Sequence, residues 1–148
     1  MNGYFFRSSL FKIELGEDDA TNPFCYGKQL SEWIRVKFLG LGYPVEEVIP
    51  EDWGFCVVLQ RDPFKLCIGC GTDRAAFYNS VSPEEKETFI PSGEDVLWHC
   101  IPIAEVSFWT RIFRNTDCSG VLSTVNVQLL KILENERHID LQSVDDLS

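Results

Sequence analysis

The stretch FCVVLQRDPFKLCIGC, residues 55–70, carries the reading of the fold. Phe55 to Gln60 is a nearly continuous apolar run, and Phe64 to Cys70 is a second one. Both are too short for a buried helix and rich in branched and aromatic residues, so each predicts a buried strand. Arg61-Asp62-Pro63 between them leaves room only for a tight connection, which makes the two strands an antiparallel hairpin.

Outward from this hairpin, the N-terminal side supplies a strand and a helix. Tyr4 to Leu15 is aromatic and branched, and alternates from Leu10 onward, predicting a first strand. Gly16-Glu17-Asp18-Asp19 follows as an acidic loop. Asn22 as N-cap and Pro23 at the first helical position then open a helix over 23–41. Its apolar stripe is Tyr26, Leu30, Trp33, Ile34, Phe38 and Leu41, and Gly40 and Gly42 supply the stop. Val45 to Ile49 predicts a short strand ended by Pro50.

On the C-terminal side, Ala75 to Val81 predicts a further strand, and Ser82-Pro83-Glu84-Glu85 has the form of a capping box opening a short helix or turn. Val96 to Val106 predicts the last strand, with Pro102 marking an irregularity or an exposed edge. Ser107 is placed to cap a brief helix over 108–113. Val125, Leu129, Ile132 and Leu133 share one face of a helix over 121–137. Residues 139–148 are polar and acidic and predict a frayed tail after a single domain over 1–138. This order predicts an α+β fold: a mostly antiparallel sheet of about five strands with two main helices packed on one face.

Composition bounds the function. The chain has 148 residues, enough for one core, and 45% of them are hydrophobic, which argues against disorder. Its 13 basic and 23 acidic residues leave a net charge of -10. Such a surface is repelled by nucleic acids and by anionic membranes, so neither is an expected partner. A basic protein is. No stretch is long and apolar enough for a membrane span, and Arg7, Lys12 and Glu14 interrupt what would be the apolar core of a signal peptide. The expected location is cytoplasmic, with the six cysteines as free thiols.

Three stretches invite a chemical reading. Cys67-Ile68-Gly69-Cys70 copies one half of a zinc-binding pair of knuckles, but there is no second CxxC, and a complete set would need Cys56 or His99-Cys100. A redox reading would want the pair at a helix start, and here it ends a strand. The remaining reading is buried thiols acting as small hydrophobes. No metal or other cofactor is expected. His99 with Cys67 or Cys70 would be the nucleophilic pair of a small enzyme, without any local cysteine-protease signature to support it. No phosphate loop and no GxSxG elbow occurs.

The third stretch is Ile49-Pro50-Glu51-Asp52-Trp53-Gly54. A loop presenting Trp53 between carboxylates suits recognition, since Trp supplies contact area and carboxylates select cations. The competing structural reading has Trp53 plugging the core while Glu51 and Asp52 cap the turn. The expected binding residues are Glu51, Asp52 and Trp53, helped by Glu17, Asp18 and Asp19.

The run from GEDDATNP through YGKQLSEW to GYPVEEVIPEDWGFCVVLQRDPF resembles a family of small, uncharacterised bacterial cytoplasmic proteins sharing an IPEDWG-type segment, with EDWG, Glu51 to Gly54, its most specific part. The resemblance implies a bacterial origin and carries no functional residues. In general character, as a small acidic α+β domain with an aromatic–acidic loop, the chain is similar to immunity proteins that neutralise basic bacterial toxins. The expected function is therefore stoichiometric binding of a basic toxin or effector. The alternatives are an enzyme or metal protein built around Cys67, Cys70 and His99, and an adaptor or housekeeping subunit with no toxin involved.

Overall fold

The structure, a computed structural model, describes residues 3–107 and 118–143. The FCVVLQ…FKLCIGC hairpin forms its centre. Strands β1 (Tyr4–Ser8), β2 (Val48–Glu51), β3 (Gly54–Gln60), β4 (Lys65–Thr72), β5 (Trp98–Glu105) and β6 (Ile139–Gln142) make one sheet in the order β2-β3-β4-β5-β1-β6. Every neighbouring pair is antiparallel. Two long helices, α1 (Lys28–Gly40) and α4 (Ser119–Glu134), lie on one face, and two single-turn helices, α2 (Ala75–Tyr78) and α3 (Pro83–Lys86), follow β4. The fold is α+β.

Alternation along the strands sorts the core. Val57, Leu66, Ile68, Cys70, Trp98, Cys100 and Phe6 point to the helical face, where they meet Leu30, Ile34 and Phe38 of α1 and Val125, Leu129 and Leu133 of α4. Fully burying each large aliphatic or aromatic side chain there contributes about 1.5–3 kcal/mol. Cys56, Val58 and Cys67 point to the other face and form a small second cluster with Ile49.

Several sequence expectations are corrected. The first strand ends at Ser8 rather than Leu15, because the Ser8 hydroxyl turns inward: it donates to the His138 carbonyl at 2.7 Å and accepts from the Leu10 N–H at 3.0 Å. That bond holds β1 to the residue just before the segment expected to fray, and residues 139–142 of that segment pair with Phe5–Ser8 as the sixth strand. Helix α1 begins at Lys28, not Pro23. Phe24 and Gly27 both take positive φ, +68° and +148°, which no helix tolerates. Residues 75–78 are helical rather than extended, since the Asp73 carboxylate accepts the Ala75 N–H at 3.0 Å and starts a turn.

Prolines sit where a missing donor does least harm. Pro50 lies inside β2, an edge strand, opposite Phe55. Pro102 pairs with Ile68 on β4, beyond Cys100, where the described pairing of β5 with β1 ends. Ser82 caps α3 as expected, accepting the Glu85 N–H at 3.2 Å. The brief helix expected over 108–113 lies outside the described residues. No helix among the described residues is long and apolar enough to cross a membrane.

Candidate functional site

Glu51 pairs with Gly54, so Asp52 and Trp53 alone form the two-residue turn of the β2–β3 hairpin. Gly54 takes a φ of +152°, and a Cβ there would run into the Cys70 carbonyl, which explains the glycine. The turn holds Trp53 out from the sheet at 43% exposure, with its ring tip against Gly69 of β4. Trp53 is not the core plug of the structural reading. A second ring repeats the arrangement, because His99 of β5 lies across its cross-strand partner Gly71. The glycines of Gly69-Cys70-Gly71 thus form a floor under two aromatic rings.

Between these rings opens a cleft of about 460 Å³. Trp53, Ile101, Phe5 and His99 give it apolar walls, and Asp52, Asp73 and Arg74 stand around it. Phe5 faces His99 at 5.8 Å between ring centroids. The Asn22 N–H donates to the Asp52 carbonyl at 3.1 Å, tying the hairpin tip to the chain before α1. Thr72 fixes that segment further: its hydroxyl accepts from the Tyr26 N–H at 3.1 Å and donates to the Phe24 carbonyl at 2.9 Å. The cleft is therefore built from rigid strand ends and a pinned loop.

His99 sits in an environment that disfavours its charged form. Burial pushes its pKa below the usual imidazole range, and the Asp73 carboxylate only partly opposes this. Its Nδ1 is shut off from solvent without a hydrogen-bond partner. Arg74 turns its guanidinium over the Tyr78 ring at 5.1 Å. The described ion pairs join Lys28 to Glu14, Arg35 to Glu32, Arg61 to Glu46, Lys65 to Glu105 and Lys86 to Asp18, and none uses Asp52 or Asp73.

Of the six expected binding residues, the cleft gathers Asp52 and Trp53. Glu51 is half-buried next to it on β2. Glu17 and Asp18 are buried instead of forming an exposed acidic loop, and only Asp19 is exposed. One Glu17 oxygen accepts the Glu14 N–H at 2.7 Å, and the other accepts the N–H groups of Gly27 and Lys28 at 3.0 Å, capping α1 from eleven residues away. Asp18 accepts the Phe24 N–H at 2.8 Å and pairs with Lys86 at 2.7 Å. Their charge is consumed in holding the loop.

The cysteine set separates. Residues three apart on a strand face opposite sides, so Cys67 and Cys70 cannot meet at one tetrahedral ion. Cys70 faces the helices, with its sulfur 3.9 Å from that of its cross-strand partner Cys100. Cys67 shares the other face with Cys56. It also shares that face with His99, but their partners Ile103 and Gly71 place them four residues apart along the ladder, about 13 Å. A Cys67–His99 or Cys70–His99 nucleophilic pair is not formed. Among the described residues, no group of three or more His, Cys, Asp or Glu side chains is placed to hold a metal ion.

Sequence reasoning missed Phe5, Cys25, Asp73, Arg74 and Ile101 as cleft residues. The alternation of His99 and Ile101 on one strand was a usable signal, since both must face the side opposite Cys100. Comparison with models of protein families, with curated proteins and with solved structures returned no match.

Proposed function

We propose that the protein is a non-catalytic binding module of the immunity type, which neutralises a basic bacterial toxin or effector by stoichiometric association. The observation that carries this reading is Trp53: a large apolar side chain exposed at a hairpin tip, seated on Gly69, beside Asp52, whose carboxylate enters none of the ion pairs among the described residues. Exposed tryptophans are the kind of residue that anchors protein interfaces. A net charge of -10 would speed the approach of a basic partner. With Glu17 and Asp18 committed internally, the contact surface reduces to Asp52 and Trp53 with Glu51 beside them, and Asp19 as a further exposed acid.

Affinity capture from the host, with the wild-type chain and the Trp53→Ala variant run in parallel, tests the proposal. A basic protein retained in a 1:1 complex by the wild type, and about 2 kcal/mol more weakly by a folded Trp53→Ala variant, is the expected result. An acidic partner, or unchanged affinity after Glu51→Lys and Asp52→Lys in a folded protein, refutes it. An enzymatic reading has one observation in its favour, that Cys25 and His99 line the same cleft. Turnover of a small molecule abolished by His99→Gln or Cys25→Ala would favour that reading.

A further inference from the structure

Resting on the binding reading above, we infer that the cleft between Trp53 and His99 receives an arginine side chain of the partner protein. Its walls and its polar groups ask for one kind of guest. Trp53 and Ile101 offer apolar surface to an aliphatic stem, and Asp52 and Asp73 offer carboxylates to a cationic head. A volume of about 460 Å³ holds a long side chain with some water and is larger than a single small ion needs.

The choice of arginine over lysine follows from ring and acid standing together. A guanidinium is planar, stacks on an indole face and bonds carboxylates through two parallel N–H donors, whereas an ammonium is a hydrated point charge. A protonated His99 would repel such a donor, and burial opposes that protonation. Among the described residues Arg74 is the one cation in the cleft wall, and it stands over the Tyr78 ring, leaving Asp52 and Asp73 as the guest's charged partners.

Three capped pentapeptides test this: Gly-Gly-Arg-Gly-Gly and its lysine and citrulline counterparts, titrated into protein carrying ¹⁵N-labelled indoles. The Trp53 indole resonance is assigned by its loss in Trp53→Phe. The arginine peptide is expected to shift that resonance saturably, the lysine peptide to bind at least fivefold more weakly, and the citrulline peptide to leave it unmoved. Asp52→Asn should weaken the arginine peptide at least tenfold while the remaining indole resonances keep their positions. Equal response to citrulline or lysine overturns the inference, as does indifference to Asp52→Asn. If the captured partner needs Asp52 and Trp53 but the arginine peptide fails, the inference falls and the binding reading stands. If the partner's affinity ignores both residues, the binding reading itself falls.

Discussion

Trp53 rests so closely on Gly69 that a Cβ placed on the glycine would lie 2.7 Å from Cζ3 of the indole. The contact crosses from the β2–β3 turn to β4, and Gly69 reaches it with no strained φ of its own. Its lack of a side chain matters for the space it leaves, not for backbone freedom. The same holds at Gly71, where a Cβ would lie 2.9 Å from Cε1 of His99.

A test of that arrangement is Gly69→Ala. The atoms it would strike are the far end of a half-exposed side chain, so Trp53 can swing away at little cost to the fold. We expect a stability change of about 1 kcal/mol or less, together with an altered Trp53 environment and weakened partner binding. Chemical denaturation alongside indole NMR checks both parts. Unchanged Trp53 resonances would show that the ring does not depend on the glycine floor.

Glu17 separates structural from binding acids. Three backbone N–H groups converge on its carboxylate, and two of them belong to the start of α1. Glu17→Ala leaves these donors without their acceptor and should destabilise the protein by about 2 kcal/mol or more. Asp19→Ala, on the exposed side of the same loop, should change stability by about 0.5 kcal/mol or less. Equal denaturation midpoints for the two variants would contradict the capping role.

The hairpin at the centre was legible because continuous apolar strands, a three-residue connection and a following alternation leave one physical solution. The stripe Leu30, Ile34, Phe38 and its counterpart Val125, Leu129, Leu133 were legible for the same reason, and both are buried against one sheet face. What local pattern could not reveal was long-range capping. Asn22-Pro23 has the form of a helix start, yet the carboxylate that caps α1 comes from Glu17, and Asp18 holds the intervening turn. Likewise, Ile139–Gln142 is polar enough to fray alone, and becomes a strand only because β1 offers it an edge. At the site, the IPEDWG segment pointed to Trp53, whereas the attention given to Cys67 and Cys70 overlooked the glycines beside them.

The thiols should divide by burial. Cys56, Cys67, Cys70 and Cys100 are buried in the sheet, while Cys118 is half-exposed. Burial and the neighbouring Cys100 thiol push the Cys70 pKa well up, and contact with Cys56 together with burial does the same for Cys67. Alkylation of the native protein at neutral pH should therefore label Cys118 before Cys67 and Cys70, with all six cysteines labelled in denaturant. Peptide mass mapping reads the order. A chelator should leave the melting temperature unchanged, since Cys67 and Cys70 face opposite sides of β4; unfolding on chelation would require a different cysteine arrangement.

His99 gives the fold a pH dependence of definite sign. Its pKa in the folded protein lies below the ordinary value of 6.5, chiefly through burial against Gly71 and beneath Phe5. Between those two values the unfolded chain binds a proton that the folded one refuses, so stability rises with pH across that window. The contribution is present above 6.5 and is lost as pH falls from there toward the depressed folded value. Urea midpoints measured from pH 7.5 downward should decline through this range in the wild type and decline less in His99→Gln. Parallel curves for wild type and His99→Gln would mean that His99 is free to take up its proton in the folded state. The cleft would then carry a positive ring at mildly acid pH, which would also weaken its fit to a cationic guest.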